Sequence, residues 1–283
     1  MVRRPKWLRK DELFKTFEEV WDAQTLMAAY EVMRRLKLKR FAGVVSAGKE
    51  ARVYRAIGRD GREYAVKIYL TMTAEFRKSI YKYLLGDPRF QSVDTSNTKK
   101  LFFAWARKEF RNLKRMYEAG VPVPKPYLVY QNIVVMEFLG ENGVRSPLLH
   151  ELADHLDEQE AERLFREAVD AYKRILCCAG LVHADYSEFN LMLHRGRLHV
   201  IDVAQAVQLD HPNSPDFLAH DMVNLVRFFG KRLGVETPGA EELVEEVTSC
   251  SLECPVEKWV PSEADLEHVA SKARDMIRLR YAD

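Results

Sequence analysis

The sharpest chemical signal is a trio of oxygen-bearing side chains spread over eighteen residues. His183-Ala184-Asp185-Tyr186-Ser187-Glu188-Phe189-Asn190 has the spacing H-x-D-x-x-x-x-N, and Asp202 ends the apolar run Leu198-His199-Val200-Ile201 that follows. Moving a phosphoryl group needs a carboxylate to accept or orient the attacking hydroxyl, a role that falls to Asp185. It also needs hard oxygen ligands for a divalent cation that offsets the charge of the phosphate. Asn190 supplies an amide oxygen and Asp202 a carboxylate, so these two are the expected metal ligands. Any one of the three could merely close a turn or cap a helix; together at this spacing they point to catalysis.

A second signal lies upstream. Ser46-Ala47-Gly48-Lys49-Glu50-Ala51-Arg52-Val53 overlies the frame G-x-G-x-x-G-x-V, with Ser46 and Ala51 in place of two glycines. Small residues let backbone amides approach phosphate oxygens. The segment is therefore expected to cradle a nucleotide through Ser46, Ala47, Gly48, Lys49, Glu50, Ala51 and Val53. Ala65-Val66-Lys67 follows where a strand lysine meets nucleotide phosphates, making Lys67 a candidate for both binding and catalysis. Such a lysine needs a carboxylate to hold it. Glu109, in the middle of a strong helical pattern, is preferred over Glu118, which stands at the frayed end. Met136-Glu137-Phe138-Leu139 fits a strap between two lobes, with backbone groups at Glu137 and Leu139 against an adenine edge. The implied cofactors are ATP and Mg2+, with Mn2+ as a substitute.

The elements that must position these residues change character along the chain. Leu13, Phe17, Val20 and Trp21 form one helical pattern, and Leu26, Tyr30, Met33 and Leu36 a second, with Asp22 or Thr25 to cap it. Short strands are expected at 44–45, 53–54 and 64–69, with Asp60-Gly61 as a hairpin turn. Residues 71–98 are long and weakly patterned, which suggests a functional or mobile segment. A helix over 99–119 stops at Gly120 and the Pro122/Pro124/Pro126 series. Strands at 127–130 and 133–138 follow. Helices then dominate, at 158–178, 216–233, 241–247 and 263–281, interrupted by short strands at 191–193 and 198–201. The expected architecture is α+β in two lobes: a helical extension (1–40), a strand-rich N-lobe (41–139) and a helical C-lobe (140–283).

Composition narrows the setting. Of 283 residues, 47% are hydrophobic and 30% charged, a balance that excludes a disordered chain. No apolar run reaches the roughly 18 residues of a membrane span, and the basic start of the chain has no apolar signal core, so a cytoplasmic location is expected. Cys177, Cys178, Cys250 and Cys254 lack the spacing of a zinc site and are read as reduced structural thiols. The net charge of +2 conceals an asymmetry: residues 1–120 hold 28 Lys/Arg against 14 Asp/Glu, the remainder 16 against 28. Such a polarised chain can turn a basic face to a polyanion.

The phrases S-A-G-K-E-A, H-A-D-Y-S-E-F-N and I-D-V-A-Q-A, with the segment from Trp105 to Leu113, resemble the RIO family of atypical serine/threonine protein kinases, in particular its Rio-one branch. The resemblance covers nearly the whole chain. It implies a two-lobed kinase core, ATP with magnesium, Asp185 as catalytic base, and Asn190 and Asp202 as metal ligands. It further implies no ordinary activation segment, in keeping with the absence of A-P-E after Asp202. It also implies a role in maturing small ribosomal subunit precursors (rRNA and ribosomal proteins as partners) and an ATPase cycle through an acyl phosphate on Asp202. Autophosphorylated serines are implied in the segment before the long helix, where Ser79, Ser92 and Ser96 lie. Two positions depart from the family pattern: Ala204 after I-D-V, and Tyr186 after H-A-D, where an aromatic ring is expected to narrow the approach of the attacking hydroxyl. Two other readings stand beside this one: a small-molecule kinase of the aminoglycoside or choline type, and a nucleotide-sensing RNA-binding scaffold.

Overall fold

The structure is a computed structural model that describes residues 21–70, 74–90 and 97–281. The first helical pattern (Leu13, Phe17 and Val20), Ser92 and Ser96 lie outside the described residues.

Helix α1 (Ala23–Arg35) starts where the Asp22 carboxylate accepts the Thr25 amide at 2.7 Å. Its buried face is Thr25, Ala28, Ala29, Val32 and Met33, so Leu26 and Leu36 sit at the rim rather than at the centre of the apolar stripe. Small alanines there let the helix lie close on the sheet. Below it, Trp21, Phe41 and Tyr54 pack edge to face, and the Trp21 indole N–H donates to the Tyr54 hydroxyl at 3.0 Å.

The sheet contains β1 (Leu38–Ala47), β2 (Ala51–Gly58), β3 (Glu63–Tyr69), β4 (Pro126–Tyr130) and β5 (Ile133–Glu137). All pairings are antiparallel, in the order β1-β2-β3-β5-β4. Alternation along β3 sorts its side chains: Val66 and Ile68 join the core beneath α1, while Ala65, Lys67 and Tyr69 face the other way.

Residues 71–98, read above as weakly patterned and functional or mobile, contain helix α2 (Ala74–Leu84), which buries Phe76, Ile80, Tyr83 and Leu84. The expectation missed it because its apolar contacts are distant in sequence: Phe76 meets Trp105, and Tyr83 stacks on Phe217 at 5.1 Å. Helix α3 (Thr98–Glu118) follows, capped by the Asn97 side chain on the amides of Lys99 and Lys100.

The helical lobe is built on α4 (Leu149–Leu152), α5 (Glu158–Lys173), α6 (Ser214–Leu225), α7 (Ala240–Thr248) and α8 (Glu263–Arg280). Helices α5 and α6 each run on into a π-helical stretch, Arg174–Cys178 and Val226–Arg232. The cysteines are not free thiols: Cys177 is bonded to Cys250 and Cys178 to Cys254. Neither partner is close in sequence, so spacing alone could not show that the fold would bring 174–178 against the segment after α7. No helix of the described residues is long and apolar enough to cross a membrane.

Candidate active site

Three local structures converge between the sheet and the helical lobe. The β1–β2 hairpin tip is closed by the Gly48 amide on the Ala51 carbonyl at 3.0 Å. The second structure is the hairpin of β7 (Leu191–His194) and β8 (Arg197–Val200). Its register opposes Leu191 to Val200, and the Ile201 amide bonds the Asn190 carbonyl at 2.9 Å. That register sets Asn190 and Asp202 side by side at one hairpin end. The third is a two-residue ladder of β6 (Leu181–Val182) with β9 (Val207–Gln208), which pins both ends of the 183–206 span.

The result is a cleft of about 350 Å³ whose apolar walls include Val53, Ala65, Met136, Leu139 and Ile201, and whose polar end holds Lys67, Glu109, Asn190 and Asp202. Glu137 lines the same cleft on the strap side. A second pocket adjoins it beneath the hairpin tip, lined by Gly48, Lys49, Glu50 and Ala51 on one side and by Tyr69, Ser79 and Gln205 on the other. Ser46, Val53, Lys67 and Asp202 belong to both. Of the nucleotide-cradle residues expected from the sequence, Ala47 lines neither pocket. Asp185 is not in either wall; it joins the site through hydrogen bonds to residues that are.

The charges form one network. Lys67 Nζ lies 2.7 Å from Glu109 Oε1 and 2.9 Å from Asp202 Oδ1, and the Tyr69 hydroxyl donates to Glu109 Oε2 at 2.6 Å. Burial works against the Lys67 ammonium, but Asp202 and Glu109 outweigh it and hold the amine firmly protonated. Burial likewise works to raise the Asp202 carboxyl; the Lys67 charge and hydrogen bond prevail, leaving it below the ordinary carboxylate range. The Asp202 side chain remains 45% exposed. Asp185 behaves oppositely. Burial, then the negative charge of Asp202, pushes it up to about 6, against the hydrogen bonds of Asn190 and Gln205. Asn190 Nδ2 donates to the Asp185 carbonyl at 2.8 Å and to Oδ2 at 2.9 Å, and Gln205 Nε2 donates to the same Oδ2 at 2.9 Å. Two carboxylates with carboxyl pKa values driven apart suit a proton acceptor near neutrality and a permanently ionised ligand.

Several residues that hold this arrangement escaped the sequence reading. Asp221 of α6 is fully buried and accepts the amides of Ala184 and Tyr186 and the Tyr172 hydroxyl, each at 2.8 Å. Those bonds fix the loop on either side of Asp185, where Ala184 stands at φ +69°. Burial raises the Asp221 carboxyl to about 7 even so. The one sequence signal for it was a lone carboxylate amid Phe217, Leu218, Met222 and Leu225. Lys108 of α3, also fully buried, donates to the carbonyls of Ala204 (2.8 Å) and Ala206 (2.5 Å). Asn112, one turn on, donates to Val203 and Ala206. They grip the backbone just after Asp202, itself at φ +53°. Tyr186 does not narrow the approach to the site. Its ring is buried against Tyr172 and His183, and its hydroxyl donates to the Ala168 carbonyl at 2.8 Å. A large aromatic with one polar tip found a core site where that tip is satisfied.

Comparison with known proteins agrees with this geometry. The model of the RIO domain matches residues 52–242. The chain is 41% identical over 241 residues to the RIO-type serine/threonine-protein kinase Rio1 of Haloferax volcanii, covering 85% of this chain and 80% of that protein. It is 40% identical over 233 residues to the serine/threonine-protein kinase RIO1 of Caenorhabditis elegans, covering 82% of this chain but only 45% of the longer nematode protein. Its fold resembles the crystal structure of the Rio2 kinase–ADP/Mg2+–phosphoaspartate complex of Chaetomium thermophilum, with a TM-score of 0.60 at 21% identity, covering 91% of this chain and 76% of that one. An antiparallel N-lobe over a helical C-lobe, the site between them and these matches together lead to one conclusion: the chain belongs to the RIO family.

Proposed function

We propose that the protein is an ATP- and Mg2+-dependent serine/threonine protein kinase of the RIO type. The observation that carries this reading is the convergence of Lys67, Glu109, Asn190 and Asp202 on one cleft, with Asp185 hydrogen-bonded to Asn190 behind it. In the reaction, ionised Asp185 takes the proton of a substrate hydroxyl as its oxygen attacks the γ-phosphorus, and the bond to the ADP oxygen breaks. Lys67, held by Glu109, brings positive charge to the transferring group.

The donor set fits magnesium. Among the described residues no cluster of three or more His, Cys, Asp or Glu could hold a metal by itself. Asp202 and Asn190 offer one carboxylate and one amide oxygen, and Mg2+ commonly completes such a pair with phosphates and water. Bound there, the ion would neutralise charge on the phosphates. Asn190 spends its amide N–H bonds on Asp185, which leaves the amide oxygen for that role.

A second reading keeps the same site and makes Asp202 the phosphate acceptor in an ATPase cycle. It is favoured by the low carboxyl pKa and partial exposure of Asp202, and the phosphoaspartate named for the Chaetomium protein is a precedent. Incubation with γ-labelled ATP separates the two. Acid-stable label on serine that Asp185→Ala abolishes supports the kinase; hydroxylamine-labile label that Asp202→Ala abolishes supports the cycle. Label passed only to a small alcohol would point to an aminoglycoside- or choline-type kinase, and tight ATP binding with no label at all to a scaffold. Ser79, exposed and lining the pocket beside Gln205, is the described serine we expect to be labelled.

We assign the work of this site to small ribosomal subunit precursors, supported by family membership and by the basic excess of residues 1–120. The lobe boundaries near residues 40 and 139 belong to the same proposal. The expected cytoplasmic setting drew on reduced thiols as well as on the start of the chain. With both cysteine pairs bonded it requires an interior that keeps disulfides, as hyperthermophile cells do.

A further inference from the structure

The long helix that carries Glu109 has a second charged side. Arg111, Lys114, Arg115 and Glu118 recur at helical spacing on the face opposite Glu109. With Arg89, Lys258 and Trp259 they line a separate cleft of about 390 Å³ that shares no residue with the nucleotide site.

Its charge is unbalanced. Arg89 is held by Asp87 and Lys114 by Glu118, but Arg111, Arg115 and Lys258 have no ion pair among the described residues. Arg115 is fixed by Gln208 (3.0 Å) and the Gly180 carbonyl (3.3 Å), both neutral, and its buried Nε has no partner. Burial, and then the charge of Arg89, lower its pKa to about 10 despite the field of Asp210 and Asp87. An anion in the cleft would relieve that repulsion. Trp259 adds an aromatic surface, with Lys258 Nζ 4.0 Å and Arg115 Cζ 5.5 Å from its ring centroid. The wall is built rather than fortuitous. The Cys178–Cys254 bond ties the segment leading to Trp259 beside Gly180, where any side chain would strike the Trp259 carbonyl at 2.5 Å.

From this geometry we infer that the cleft binds single-stranded RNA, a base stacking on Trp259 and a backbone phosphate held by Arg111 and Lys258. Unpaired cations beside an aromatic ring are what sequence-tolerant strand binding uses. The inference rests on the RNA-rich partner proposed above but not on the kinase chemistry.

The test is a titration of the full chain with a fluorescent oligouridylate of about a dozen nucleotides, followed by anisotropy at several salt concentrations. Trp259→Ala should weaken binding about tenfold. The double variant Arg111→Ala/Lys258→Ala, on exposed side chains, should reduce the slope of log K against log salt by about 0.7, the share of one phosphate. Self-labelling from γ-labelled ATP should be unchanged in both. Wild-type affinity and slope in the double variant, or no RNA binding by the wild type, would overturn the inference. Equal binding of polyglutamate, unaffected by Trp259→Ala, would reassign the cleft to an acidic protein. Absence of self-labelling in the wild type would count against the kinase reading alone.

Discussion

The two walls of the candidate catalytic cleft are held in different ways. On the sheet side, Lys67 takes its place from strand register: Val53 and Val134 are its cross-strand partners, and Glu109 meets it from the adjacent helix. On the loop side there is almost no regular structure. Ala184 and Asp202 stand in the left-handed region, a costly conformation for residues with a Cβ. They persist because buried polar groups from distant helices grip the backbone around them, Asp221 from α6 and Lys108 with Asn112 from α3. A wall made of ladder hydrogen bonds tolerates side-chain change; a wall made of a few buried polar bonds does not. Damage to the loop side should therefore appear in phosphoryl transfer first, with ATP affinity much less affected.

The largest expected effect comes from the loop wall's reactive group. Asp185→Ala should slow phosphoryl transfer by about a thousandfold, measured as initial rate, while ATP affinity by calorimetry stays within a few-fold. A parallel loss of affinity would show that the walls are not separable. Next comes the support beneath it. Asp221→Ala strands two buried amides at about 1–3 kcal/mol each. We expect transfer to fall by about a hundredfold and the thermal midpoint by several degrees; a stable, active variant would break the comparison. Third, reducing both disulfides frees the segment after α7 from the turn that precedes the loop. The cross-links close overlapping spans of 73 and 76 residues, so the first should contribute about 4 kcal/mol and the second, closing nearly the same loop, less. A fall in midpoint of about 10 °C is expected by calorimetry, and no change on reduction would refute it.

The smallest effect concerns pH and sharpens the comparison most. The raised Asp185 carboxyl, about 6, means that the folded protein binds a proton in a window where the unfolded chain does not. Its stabilising contribution is therefore greatest in acid and is lost as pH rises through about 6. Asp221 acts in the same sense up to about 7. Transfer runs the other way, failing below about 6 because protonated Asp185 cannot accept the substrate proton. Removing the Gln205 hydrogen bond, which lowers this pKa, should move the acidic limb upward in Gln205→Ala. An unmoved limb would assign it to another group.

Much of the architecture was legible because its signals are local. Alternation announced the β3 strand, Asp60-Gly61 its turn, Gly120 and three prolines the end of α3, and the motif spacings brought Lys67, Asn190 and Asp202 to attention. What stayed hidden depends on partners far along the chain. Helix α2 is explained by Trp105 and Phe217, the burial of Tyr186 by the Ala168 carbonyl, and the disulfides by a fold that brings 177–178 to 250–254. Asp221 and Lys108 read in the sequence as ordinary charges, and only burial gives them meaning, since a buried charge survives where every bond around it is satisfied.

By itself, then, the sequence determined which chemical groups are present, the periodicities that make two lobes, and the spacings that mark the proposed phosphoryl-transfer site. Tertiary structure alone decided which groups are buried, which carboxylate keeps a proton near neutrality, and how the cysteines pair. The physical reason is that spacing and period act through neighbours in the chain. Desolvation, charge coupling and bond pairing act through neighbours in space, and the fold sets those last.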